Sequence, residues 1–191
     1  VDSTTCLALA IEKHGKENVC ALSIYYGQKH VKEIQAAKAV LEYYGIEGTS
    51  LDLTPVFAYS DCSLLDGSKR EIPKESYAEQ LNESEGEPVS TYVPFRNGLF
   101  LSSAASIALS KECGVIYYGA HADDSAGFAY PDCSPVFNQA MNEAIWEGSG
   151  HQLKIEAPFV NVSKAEVVRI GLELGVPYEL TWSCYEGGEK P

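Results

Sequence analysis

The segment VCALSIY, residues 19–25, followed by QKHVKEIQAAKAVLEYY, residues 28–44, decides the fold class. The first run is apolar and of strand length. The second carries Val31, Ile34, Ala37, Leu41 and Tyr44 at the three-to-four-residue spacing of an amphipathic helix and ends at Gly45, a helix-stopping residue. A strand feeding directly into a helix is one unit of a parallel sheet wrapped by helices.

The same alternation continues outward. Residues 97–113, rich in Ala and Ser, read as a helix closed by Gly114, and residues 115–119 (VIYYG) as a short buried strand. Residues 134–146 read as a helix, 153–157 as a strand, and Ser163-Lys164-Ala165-Glu166 as a capping box that opens a helix running to Leu174. Towards the start, Asp2-Ser3-Thr4-Thr5 is a string of N-cap residues leading into a helix that Gly15 stops. Residues 51–53 give only a weak strand. The expected architecture is one α/β domain over residues 1–191, a doubly wound parallel sheet in three α/β/α layers. Residues 55–89 break the pattern with Asp, Ser, Glu and Gly over a length that exceeds an ordinary connection, and read as an insertion serving as a lid or an oligomer contact.

Composition narrows the function. The 191 residues carry a formal net charge of −13, which repels a nucleic-acid backbone and makes any cation near a phosphate worth finding. No apolar run reaches the ~18 residues of a membrane span. The six cysteines, at 6, 20, 62, 113, 133 and 184, form no C-x-x-C pair. Cys6, Cys20 and Cys113 sit in apolar stretches as small core residues, so a reducing, cytoplasmic compartment is expected.

Ligands of open α/β sheets gather at the carboxyl ends of the strands. Four segments fall there: 1–5, 92–97, 119–130 and 161–164. The hydroxyl-rich helix start at 1–5 is a phosphate cradle or an ordinary capping string. Lys164 opposes the dipole of the helix it opens, which an anion nearby would explain. Asp123 and Asp124 follow a strand, where they hold Mg²⁺ or cap the next turn, and His121 has no partner at zinc-ligand spacing.

These segments resemble the 7-cyano-7-deazaguanine synthases of queuosine biosynthesis, a branch of the PP-loop ATP pyrophosphatases. The family loop S-G-G-x-D-S-T-T-C-L is met from its variable position onward, with Val1 followed by Asp2-Ser3-Thr4-Thr5-Cys6-Leu7. Further matches are Tyr92-Val93-Pro94-Phe95-Arg96-Asn97, Tyr130-Pro131-Asp132-Cys133, Ser163-Lys164-Ala165-Glu166 and Thr181-Trp182-Ser183-Cys184-Tyr185, in family order over nearly the whole chain. The resemblance implies an adenine nucleotide alpha hydrolase-like fold and a chain truncated at both ends.

It also implies a ligase that converts 7-carboxy-7-deazaguanine, ammonia and ATP into 7-cyano-7-deazaguanine through an acyl adenylate and an amide. By resemblance, ATP meets Val1, Asp2, Ser3, Thr4, Thr5, Cys6 and Leu7, and Mg²⁺ bridges through Asp2 or Asp123. Lys164, Arg96 and Asp123 serve the chemistry, with Arg96 offered to the substrate carboxylate or the α-phosphate. Asn97, Asp132, Phe128 and Tyr130 face the base. Residues 181–191 begin a Zn²⁺-binding tail in which Cys184 is the first of four ligands, the others lying in a Cys-x-x-Cys-x-x-Cys run beyond Pro191. A homodimer without a nucleic-acid or membrane partner is expected. A tRNA-thiolating relative would need a catalytic cysteine pair and a basic face, and a nucleotide-binding module without chemistry would release no pyrophosphate.

Overall fold

In the computed structural model, residues 1–29, 32–70 and 89–182 are described. Helix α1 (Asp2–His14) leads into strand β1 (Cys20–Tyr25), helix α2 (Lys32–Tyr44) and strand β2 (Glu47–Asp52). Helix α3 (Arg96–Ser110) precedes strand β3 (Val115–Tyr117), and helix α4 (Pro135–Gly148) precedes strand β4 (Lys154–Glu156). Helix α5 (Lys164–Glu173) follows. β1 pairs with β2 from Cys20↔Glu47 to Tyr25↔Asp52, and β3 with β4 from Val115↔Lys154 to Tyr117↔Glu156; both pairs are parallel.

β2 is longer than its sequence announces. Glu47, Gly48, Thr49 and Ser50 lack the apolar alternation of a strand, but the parallel ladder with β1 supplies the backbone bonds that side-chain pattern does not. The 55–89 reading also changes. A single helical turn, Thr54–Phe57, is followed by a stretch that returns to the carboxyl end of β1: Gln28 bridges Leu65, and the Asp66 N–H donates to Gly27 O at 2.8 Å. Phe57, Cys62, Leu64 and Leu65 are buried with Tyr26 and Val93. These residues are core; burial of scattered apolar side chains, without periodicity, made them unreadable as such. Residues 71–88, where a lid or oligomer contact remains open, lie outside the described residues.

Two further clusters hold the second half. Leu101, Ala108, Ile145, Leu153 and Ile155 join α3 and α4 to β4, and Cys6, Phe159 and Val167 join α1 to α5. The cysteine reading is corrected at Cys20, which is exposed at the start of β1, and Cys113 is only partly buried; Cys6, Cys62 and Cys133 are buried thiols. Among the described residues no helix is long and apolar enough to cross a membrane. The tail expected to begin a zinc site, with Cys184 as its first ligand and the remaining ligands beyond Pro191, lies outside the described residues from Ser183 to Pro191.

The carboxyl-terminal end of α1 is tied to β4 by charge. Lys13 Nζ lies 2.7 Å from Glu156 Oε2, and Lys154 Nζ 3.0 Å from Glu156 Oε1. The Lys13 hydrogen bond, with Lys154 and Tyr117 assisting, holds the Glu156 carboxyl down at about 2. A depressed carboxylate stabilises the fold above its unfolded value and loses that contribution as pH falls through the folded one. Glu156→Gln is therefore expected to lower stability by about 1 kcal/mol at pH 7, the scale of a half-exposed ion pair. The difference from the parent should shrink between about pH 4.5 and 2. Urea melts of both proteins across that range check it; a gap that stays constant down to pH 2 removes the ion pair as its cause.

Candidate active site

α1 starts without a side-chain cap: Val1 is its N-cap residue, and its side chain accepts no N–H of the first turn. The first hydrogen bond of the helix runs from the Thr5 N–H to Val1 O at 2.9 Å, so Asp2, Ser3 and Thr4 present the N–H groups that a helix start cannot satisfy internally. The turn after β3 crosses this end closely. A Cβ placed on Gly119 would lie 3.1 Å from Asp2 C and 3.2 Å from Ser3 N, so glycine is what permits the approach.

α5 reaches the same point. Lys164 Nζ donates to both Asp2 carboxylate oxygens, at 2.7 and 2.5 Å, and the Lys164 backbone N–H donates to Asp123 Oδ2 at 2.8 Å. This is the anion that the unfavourable position of Lys164 at a helix start called for. Ser163 caps α5 by accepting the Glu166 N–H at 3.3 Å; the Glu166 carboxylate turns instead to Arg169, so the capping box is only half formed.

His121, 5% exposed, sits between two of the acids, its Nε2 3.4 Å from Asp124 Oδ2 and 3.8 Å from Asp2 Oδ2. Burial pushes the Asp124 carboxyl up, with His121 and Lys164 opposing and Asp2 adding to the rise. Three carboxylates thus converge around one lysine at an uncapped helix start. A phosphate chain entering alone would be repelled by them, whereas one carrying a divalent cation would not, since Mg²⁺ takes one or two carboxylates and fills its shell with phosphate oxygens and water. Asp2 and Asp123, both touching Lys164, fit that donor set. Among the described residues no group of three or more His, Cys, Asp and Glu could hold a metal unaided.

A second corner forms at the start of α3. Arg96 lies over the rings of Tyr26 and Phe100, 5.2 and 5.9 Å from their centroids, and its Nη1 donates to Tyr26 Oη at 3.3 Å. The Asn97 N–H donates to Asp132 Oδ2 at 2.8 Å, and its amide to Cys133 Sγ at 3.2 Å. Asp132 is 3% exposed, and burial raises its carboxyl while the Asn97 N–H and Arg96 pull it down. Asp132 is therefore committed to an N–H of the first turn of α3, and the reading of it as a base-facing acceptor gives way to that of an anchor. Asn97, also buried, is the anchored residue.

Four more expected contacts meet other surroundings in the structure. Thr5 is fully buried, its Oγ1 bonded to Val1 O at 3.0 Å and to Tyr178 Oη at 2.8 Å, and the buried Cys6 thiol is pushed up to about 12. Both serve the α1–α5 packing, and Leu7 lies beyond the turn whose N–H groups are free. Tyr130 is buried with its hydroxyl 2.6 Å from Thr91 Oγ1, which leaves no open ring face of the kind a base needs. The Phe128 side chain and Cys184, like the rest of the tail to Pro191, lie outside the described residues.

Sequence reasoning gave no individual role to Tyr26, Gly119 or Phe95. Tyr26 follows β1 directly, Gly119 lies two residues beyond β3, and Phe95 precedes the arginine of the most distinctive motif.

Comparison with known proteins identifies the family. Residues 1–191 match the family of the queuosine biosynthesis protein QueC. The chain is 38% identical over 192 residues to the 7-cyano-7-deazaguanine synthase of Archaeoglobus fulgidus, covering 100% of this chain and 76% of that protein. It is 39% identical to the synthase of the same name from Oceanobacillus iheyensis, covering 100% and 82%. Among solved structures, the U34-tRNA thiolase NcsA from Methanococcus maripaludis, with its [4Fe-4S] cluster, superposes with a TM-score of 0.55 at 16% identity over 100% of this chain and 55% of that one. That likeness shows the α/β fold alone. On sequence, fold and full-length match together, the chain belongs to the queuosine biosynthesis protein QueC family.

Proposed function

We propose that this chain is a 7-cyano-7-deazaguanine synthase: one ATP activates the carboxylate of 7-carboxy-7-deazaguanine for attack by ammonia to give the amide and AMP, and a second ATP activates the amide oxygen, which leaves as AMP to give the nitrile. Family membership carries the reaction, and one contact carries its location: Lys164 meeting Asp2 across the first turns of α5 and α1. A carboxylate is a poor electrophile, and its oxygen becomes a leaving group only once bonded to the α-phosphorus with pyrophosphate expelled. The work left to the protein is positioning and charge stabilisation.

In this reading the N–H groups of Asp2, Ser3 and Thr4, with the Ser3 and Thr4 hydroxyls, hold the leaving pyrophosphate, and Lys164 turns from Asp2 to neutralise it. Mg²⁺, held by Asp2 or Asp123, would supply charge compensation for the phosphates. Arg96 offers a planar fork to the substrate carboxylate or the α-phosphate. Asp132 holds Asn97 and the start of α3 in place for it. Zinc at Cys184, with its other ligands beyond Pro191, rests on the resemblance alone, and no step here depends on it. A cytoplasmic homodimer completes the proposal, supported for its compartment by five free thiols among the described residues.

The test is pyrophosphate release by the full-length enzyme. Release should require 7-carboxy-7-deazaguanine, and nitrile should accumulate only with ammonia present. ATP binding without base-dependent release would favour a nucleotide-binding module and remove the proposal.

A further inference from the structure

Phe95, the N-cap residue of α3, adopts the left-handed conformation, φ 54° and ψ 27°. That geometry suits glycine and strains a bulky residue. Burial does not compensate, because Phe95 is 56% exposed. The surroundings are nevertheless specialised to keep its ring where it is. A Cβ on Gly98 would overlap Cε1 and Cζ of the ring, so the first turn of α3 is bare beneath it. The Phe95 N–H donates to Tyr92 Oη at 2.9 Å, and the ring meets Phe137 edge-to-face at 5.9 Å. A turn that needed only the left-handed conformation would carry glycine at 95; here the glycine stands three residues on, making room for a ring.

From this we infer that Phe95 is the platform on which the planar substrate ring stacks, an assignment that rests on the proposed reaction. Arg96 is the next residue, its guanidinium held over the rings of Tyr26 and Phe100 at 5.2 and 5.9 Å. A flat bicyclic ring bearing a carboxylate is matched by a flat apolar surface beside a planar cation. Phe95 also takes the part expected of Tyr130, whose ring is buried. Backbone strain held at an exposed aromatic beside the reacting groups has a use in binding, where stacking of a base on an aromatic ring is sequence-tolerant but requires the flat face.

Phe95→Gly removes ring and strain together. In full-length enzyme it is expected to leave the melting temperature unchanged or higher, raise the KM and Kd for 7-carboxy-7-deazaguanine roughly ten- to a hundred-fold, and leave the KM for ATP within about two-fold. Phe95→Leu, apolar but not flat, should weaken base binding like the glycine variant, while Phe95→Tyr should retain it. Base affinity unchanged in Phe95→Gly and Phe95→Leu overturns the stacking role, as does a loss of self-association in sedimentation that accounts for the weaker binding. A parent enzyme that binds and turns over no base overturns the functional reading itself, and the stacking role with it.

Discussion

Lys164→Ala is expected to slow base-dependent pyrophosphate release by roughly 10²–10³-fold, the usual loss when one preorganised charge contact to a transition state is removed. Two changes act in the same direction. In the proposed reaction the variant would lose the cation that meets charge building on the leaving pyrophosphate, and it leaves Asp2 without its neutralising partner. Stability should move far less. The Lys164–Asp2 pair is partly exposed, 39% and 24% for the two side chains, and such pairs contribute roughly 0.2–1 kcal/mol. Part of that is offset because a cation at the first turn of α5 opposes its dipole. For a domain of this size each kcal/mol moves the melting temperature by roughly 2–4 °C. Stopped-flow pyrophosphate release beside a thermal melt separates the two effects. Turnover equal to the parent at saturating ATP and base would take Lys164, and the helix start it opens, out of the active site.

Gly171→Ala should give the opposite signature, a large loss of stability that arises from overpacking between α5 and the segment after it. Gly171 faces Tyr178 across the α1–α5 contact: an added Cβ would overlap the Tyr178 hydroxyl, lie 2.6 Å from Cζ and come within 3.0 Å of Thr5 Oγ1. The hydroxyl cannot swing aside without cost, because it is bonded to Thr5 at 2.8 Å and lies 3.4 Å from Val167 O. Overpacking of this kind costs roughly 1–3 kcal/mol. The double variant Gly171→Ala with Tyr178→Ala should be no less stable than Tyr178→Ala alone, since the overlap has then lost one partner. Additive losses in that cycle would show that Gly171 acts through something other than Tyr178.

The sequence made the long helices of the described residues legible through local signals: an apolar period in α2, a run of Ala and Ser in α3, and capping residues at the starts of α1 and α5. It made Lys164 legible through a conflict, a cation where the helix dipole disfavours one, and the partner proved to be Asp2. It left β2 half hidden, since a ladder on a polar segment writes no pattern into the side chains. The roles of Thr5, Cys6, Tyr130 and Asp132 were illegible for a related reason. A motif shows which residues stand together, but only burial and hydrogen bonding show whether a given side chain faces a ligand or the core.

Residues 121–133 touch both corners of the site. At one end His121, Asp123 and Asp124 meet Asp2 and Lys164; at the other Asp132 fastens the start of α3, and Ser134 next to it caps α4. The Tyr130 N–H donating to Asp124 O at 3.1 Å stiffens the span between. In the proposed function a strut so placed links the nucleotide corner to the base corner, so that a rearrangement imposed on it by one ligand would already be made when the other arrived. By thermodynamic reciprocity, the factor by which ATP alters the affinity for the base is the same factor by which the base alters the affinity for ATP.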